Sequence, residues 1–380
     1  MNSSRLANKI LLMVGFLIFS LTFIQMVKGQ EVTKIQSNQP LNERWDIATS
    51  LAKQKDYSKG YWIGYCISKM MEKNSFIGSY DTRKRNAPTL FETIYGMKNE
   101  SEPGPDITGD CCSMSGFISI GNRDHTKIQK KIALLVQMDA NGSQVEEVKT
   151  SNMSLHVDLK NKPVIWMESA TDNESVSLLK SLFNKTNDVE TEKEFVSAIA
   201  FHQSSTKVIS FLTSIVSGDY DNDVREDAVF WIGQQETDSV LPFLTKVART
   251  DHTEDVREKA IFSISQIESE AAVDSLISLS RKGHDNDMRS KAMFWLAQKA
   301  SDKAVKALKG VIEDDDEDSD VQKQALFALT QSDDKNEGVN ELIEIAKSHH
   351  NPKIRKEAIF WLGQSDDPKA IDALVEIVKR

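Results

Sequence analysis

Residues 221–234 read DNDVREDAVFWIGQ, and the pattern returns as TEDVREKAIFSISQ from Thr253, DNDMRSKAMFWLAQ from Asp285, DSDVQKQALFALTQ from Asp318 and NPKIRKEAIFWLGQ from Asn351. Aligned, these segments put Arg225, Arg257, Arg289, Gln322 and Arg355 in one column, at intervals of 32, 32, 33 and 33 residues. Three more columns do not vary: Ala228, Ala260, Ala292, Ala325 and Ala358; Phe230, Phe262, Phe294, Phe327 and Phe360; Gln234, Gln266, Gln298, Gln331 and Gln364. Self-similarity at this period marks a stacked array in which each unit buries its apolar face against its neighbours.

Each segment opens on Asp221, Thr253, Asp285, Asp318 or Asn351, whose side-chain oxygens suit the first free amides of a helix, and Pro352 suits the first helical position. Val224, Ala228, Trp231 and Ile232 follow the i, i+4, i+7, i+8 spacing of one helical face. This predicts a helix A. A second apolar set follows each turn: Leu241/Leu244/Val247, Val273/Leu276/Leu279, Val305/Leu308/Val311, Val339/Leu342/Ile345 and Ile371/Leu374/Ile377. This predicts a helix B. Upstream, Ile209/Leu212/Ile215 and Val176/Leu179/Leu182 extend the B series, and Trp166 falls in the column of Trp231. The expected array therefore starts near Asn161 and holds about seven units, the first two degenerate. Tryptophan occupies alternate units, at Trp166, Trp231, Trp295 and Trp361.

These units resemble HEAT repeats, in particular the short bacterial, phycobilisome-lyase-like kind with the consensus Asp-Pro-x-Val-Arg-x-x-Ala-x-x-Ala-Leu-Gly. They depart from it in the Phe before the Trp or small residue and the Gln after the usual Gly. The resemblance implies an α-solenoid over residues 161–380, with B helices lining the concave side. Related repeats in phycobilin lyases handle a chromophore, but most such proteins are scaffolds that bind other proteins. It also implies a structural role for Arg225, Arg257, Arg289 and Arg355, paired with acidic residues of adjacent units.

Charge is unevenly spread. From Asp188 onward 38 acidic residues face 24 basic ones, whereas residues 1–187 carry a net +4. The acidic part repels nucleic acid, and no dense Lys/Arg cluster with interleaved aromatics offers a phosphate-binding face. At the start of the chain, Arg5 and Lys9 precede 18 uncharged residues, 10–27, then Lys28-Gly29-Gln30. Two readings stand: a signal peptide cleaved after Gly29, favoured because the strongly apolar part is short, or an uncleaved membrane anchor facing outside. Both place the mature chain outside the cytoplasm, in the periplasm or beyond.

Residues 30–40 read as a polar tether ending in Pro40, and residues 41–160 as a small α+β domain. Its aromatic stretch, KGYWIGY at 59–65, is expected to be core. Residues 98–116 read as a long loop. Ile132–Val136 and Val145–Val148 flank Asn141-Gly142, a hairpin signal, with Leu155, Val157 and Leu159 as the third strand of a β-meander and residues 117–120 as an optional fourth. Three cysteines allow a bridge from Cys66 to Cys111 or Cys112, or a reactive Cys111-Cys112 pair.

No catalytic, cofactor-binding or metal-ligating constellation emerges. His349-His350 and the acidic run 313–320 both read as solvated junctions. The expected function is an exported, non-enzymatic scaffold with a protein partner. The alternative is an enzyme or ligand-binding protein, such as a lyase-like repeat protein, that uses the aromatic and cysteine region 45–112. Candidate contact residues are Phe230, Phe262 and Phe294, about 120° off the core face, and helix B charges running from Lys246, Arg249, Arg281, Lys282, Lys306 and Lys309 to Glu341 and Glu344. Ile371, Leu374, Val375, Ile377 and Val378 are expected to form an exposed edge that self-associates or meets the partner.

Overall fold

The computed structural model describes residues 21–27, 30–81, 84, 86–99, 113–119, 126–281, 285–299, 301–314, 317–331 and 335–379. The chain forms two compact units, Met1–Val208 and Ile209–Arg380.

In the first unit, strands β1 (Leu21–Val27) and β2 (Gln30–Gln36) precede helix α1 (Leu41–Lys55), β3 (Tyr61–Glu72), β4 (Ser75–Asp81), α2 (Leu90–Tyr95) and β5 (Ser113–Ser119). Then come β6 (Lys127–Met138), β7 (Val145–Asn152), β8 (Val164–Ser169), α3 (Asp172–Phe183) and α4 (Val189–Ala200). The main sheet has the order β1-β2-β8-β3-β6-β7, and β4 pairs with β5 in a separate ribbon. β8 runs parallel to both β2 and β3, while β3–β6 and β6–β7 are antiparallel. The β6–β7 hairpin turns through residues 139–144, where Gly142 has φ +68° and a Cβ would meet the Tyr61 hydroxyl at 2.6 Å.

Four sequence expectations change here. The tether is a strand: Val32 and Ile35 of β2 are buried in the sheet. The meander is part of a larger mixed sheet, because β6 takes its second neighbour from β3, and Leu155 and Leu159 are buried in a loop. Residues 117–119 belong to β5, paired with β4. The first degenerate repeat is absent: Trp166 lies in β8, a central strand whose Val164, Ile165 and Trp166 are all fully buried, so the unit boundary falls at 208/209 and not at 160/161. An apolar run buried on both faces is how a parallel strand reads.

Helix α5 (Thr206–Val216) leads into the second unit, which alternates α6 (Asn222–Gly233), α8 (Glu254–Ser265), α10 (Asn286–Ala297), α12 (Ser319–Thr330) and α14 (Pro352–Gly363) with α7 (Leu241–Thr250), α9 (Glu270–Ser280), α11 (Asp302–Ile312), α13 (Lys335–Ser348) and α15 (Pro368–Val378). The first set are the A helices and the second the B helices. Successive A helices pack side by side, as do successive B helices, and each B helix packs on the next A helix. Asp221, Asp285, Asp318 and Asn351 cap their helices through side-chain oxygens. The alanine column is fully buried, which lets the helix axes approach closely. At Gly233 the approach leaves no room for a side chain: a Cβ would stand 2.8 Å from the Ser263 Cβ.

Candidate interaction surfaces

The arginine column lies at the repeat junctions. Arg225 is buried; its Nε donates to Val216 O at 3.0 Å and its Nη2 meets Asp251 at 2.5 Å. Arg289 repeats the arrangement one block later, with Nε to Ser280 O at 3.0 Å and a two-pronged pair to Glu317. Arg257 is looser, donating to Asp251 O and lying 3.9 Å from Asp285. Arg355 donates to the carbonyls of His349 and His350, and Gln322 to those of Ile312 and Asp314. The tightly paired arginines thus sit in units that carry tryptophan. This geometry corrects the solvated reading of His349 and, at Glu317 alone, that of the acidic run, whose Glu313, Asp318 and Asp320 are exposed. Glu317, within the acidic run, is buried against Arg289. His349 is also buried, with Nε2 donating to Ile312 O at 3.0 Å and Nδ1 accepting from the Asn351 amide at 3.1 Å.

A row of rings runs along the A helices. Phe230 stacks on Phe262 with centroids 6.3 Å apart, and Phe262 meets Trp295 edge-on at 5.0 Å. Trp295 touches Phe294 at 5.2 Å, and Phe327 reaches Trp361, which touches Phe360. Phe230, Phe262, Phe294 and Phe327 are half-buried, while Phe360 is 53% exposed. The glutamine column lies one turn on, mostly exposed. Aromatic side chains of this kind combine apolar area with low conformational entropy cost, the composition of protein-binding patches.

The B helices carry charge. Lys303 lies 2.5 Å from Asp274, Lys309 lies 2.8 Å from both Glu341 and Glu344, and Lys347 pairs with Glu376. Lys246, Arg249, Arg281 and Lys306 are exposed; Lys282 lies outside the described residues. On α15, Ile371, Val375 and Val378 are exposed, and Leu374 and Ile377 are half-buried.

In the first unit, Tyr61, Trp62, Tyr65 and Cys66 are all buried core of β3; Cys111 and Cys112 lie outside the described residues. Sequence reasoning missed two polar clusters there. A bulge where β8 crosses Cys66 gives Glu168 a φ of +59°, and its carboxylate accepts from the Tyr95 hydroxyl at 2.7 Å, which in turn accepts from Trp166 Nε1. Arg44 holds the bulge through the carbonyls of Met167 and Ser169. Secondly, Tyr65, Ser175 and His202 form a buried chain of 2.7 Å hydrogen bonds. Burial pushes the His202 imidazole down, so neutral Nδ1–H donates to Ala198 O and Nε2 accepts from Ser175. The Tyr65–Ser175–His202 chain is enclosed, whereas Tyr95 and Glu168 are half-buried. Among the described residues no group of His, Cys, Asp and Glu could hold a metal ion, and no helix is long and apolar enough to cross a membrane.

A family profile for HEAT repeats matches residues 209–297 and 305–380. No curated protein matches the chain by sequence. Similar solved structures include the CpcE–CpcF complex of phycocyanin lyase from Nostoc sp. PCC7120, at 16% identity and TM-score 0.31 over 53% of this chain and 80% of that one. Human deoxyhypusine hydroxylase aligns at 17% identity and TM-score 0.24, over 53% of this chain and 77% of its own. Importin beta aligns at 15% identity and TM-score 0.29, over 54% and 30%. The repeated columns, the paired helices and the family profile coincide over one region, and residues 209–380 are an array of HEAT repeats.

Proposed function

We propose that this chain is an exported, non-enzymatic scaffold that binds another protein through its HEAT-repeat array. The observation that carries the reading is the pair of aromatic runs along the A helices, Phe230–Phe262–Trp295–Phe294 and Phe327–Trp361–Phe360, left partly exposed where a self-contained solenoid would bury them. Export is supported by Arg5 and Lys9 ahead of the uncharged run 10–27. Affinity capture of the tagged chain from the envelope fraction of its host tests the binding. Recovery of one stoichiometric protein is expected, and repeated recovery of chaperones alone contradicts the reading. N-terminal sequencing of the mature chain tests export: a start at Gln30, which removes the edge strand β1 and leaves β2 paired with β8, is expected, and a start at Met1 in the cytosolic fraction contradicts it.

A further inference from the structure

The B-helix face is a ladder of ion pairs in which one rung lacks its acids. Its register is set by the column Leu244, Leu276, Leu308, Leu342 and Leu374. Lys347, five residues past Leu342, donates to Glu376, two past Leu374. Arg249, five past Leu244, holds the same register but donates to Ser278, two past Leu276. Lys309 shows the other half of the pattern: its acids, Glu341 and Glu344, stand one before and two after Leu342, and the same positions on α9 are Ser275 and Ser278. Serines therefore occupy the places where α13 presents two carboxylates. Among the described residues neither Lys246 nor Arg249 has an ion-pair partner.

The short side chains leave a groove of ≈ 480 Å³ between α7 and α9, whose lining includes Lys246, Arg249, Ala271, Ser275, Pro242 and one acid, Asp238. We propose that this groove docks a short acidic peptide segment of the partner protein, whose carboxylates take the place opposite α7 that Glu341 and Glu344 take opposite Lys309. The inference rests on the protein-binding reading and names the partner's chemistry. An arginine fork grips a carboxylate with two parallel hydrogen bonds, and Lys246, one turn earlier on the same helix, adds a second cation. Exposed Pro242 offers apolar contact beside them. The rest of the array is acidic and repels an extended polyanion, so the fitting ligand alternates Asp or Glu with apolar residues.

A dye-labelled peptide of Glu, Asp and Leu, titrated by fluorescence anisotropy against the full chain, tests this, with its Gln/Asn/Leu counterpart as control. Binding that weakens steeply with salt is expected for the acidic peptide only. Lys246→Glu with Arg249→Glu should weaken it roughly tenfold or more. Ser275→Glu with Ser278→Glu should do the same at an unchanged or raised melting temperature, because it supplies the missing internal acids; this variant decides the matter if the first fails to fold. No binding, equal binding of the control peptide, or binding indifferent to the serine substitutions overturns the proposal. The protein-binding reading is judged separately, by stoichiometric capture, and survives if that partner is captured equally well by the serine variant.

Discussion

Arg289 grips Glu317 with both prongs of its guanidinium, Nη1 to Oε1 at 3.0 Å and Nη2 to Oε2 at 2.5 Å, across a repeat junction where the two side chains are only 5% and 6% exposed. Removing one partner of such a pair strands a buried charge. Arg289→Leu is expected to cost about 3–5 kcal/mol, whereas Arg289→Met combined with Glu317→Leu should cost far less. Thermal unfolding of the single and double variants checks this, and equal losses in both would show that the pair's charge balance is not what holds the junction.

Ala260 has no exposed surface where α8 packs between its neighbours. Ala260→Asp places an unpaired carboxylate there and should cost several kcal/mol, enough to unfold the adjacent units. A melting temperature within a few degrees of the parent would contradict the packing.

The outer edge of β7 is covered by residues 185–194: Val145 N–H donates to Lys185 O, Thr191 donates to Glu146 O, and the Val148 amide donates to Glu194 at 2.7 Å. Burial raises the Glu194 carboxyl from 4.5 to about 7 against the lowering effect of the Val148 amide hydrogen bond and of Lys149, with Glu147 and Asp188 adding to the rise. The folded state thus holds the proton more tightly than the unfolded chain. This group's stabilising contribution is complete below pH 4.5 and is lost as pH rises through about 7. Glu194→Gln keeps an acceptor for Val148 and removes the titration. Its stability relative to the parent should rise between these pH values and then level off, as denaturant titrations at several pH values would read. A difference that does not vary with pH would refute the assignment.

The exposed edge of α15 is expected to self-associate or meet the partner. Val375→Lys with Val378→Lys leaves the core intact, since both side chains are exposed, and should cost within about 0.5 kcal/mol. Analytical ultracentrifugation should show concentration-dependent mass for the parent, reduced in the variant. A parent that is monomeric throughout, with binding and solubility unchanged in the variant, would make the edge the last face of a finished core.

The repeats were legible because everything that defines them is local: caps at Asp221 or Asp285, a 3.6-residue apolar stripe, and a period that repeats itself. The sheet was not, because β6 finds β3 some sixty residues upstream and β8 inserts between β2 and β3, pairings that no local pattern encodes. Trp166 falls in the repeat's column because a genuine helix follows it, α3, whose Val176, Leu179 and Leu182 face a core. His349 looked solvated beside His350, since its partner, the Ile312 carbonyl, is brought to it only by the stacking of units. Ser275 and Ser278 were visible all along, but their meaning depends on which positions of neighbouring B helices meet.

A photo-crosslinking residue placed at Gln266, exposed one turn beyond Phe262 in the middle of the aromatic row, tests the central claim that the array binds a protein through its own surface. Irradiation of the tagged chain in its host should yield one dominant crosslinked protein, the one recovered stoichiometrically by affinity capture, and the same residue at exposed Lys53 on α1 should not. Crosslinks spread over many abundant proteins, or none at Gln266 while a stoichiometric partner is captured, would contradict it.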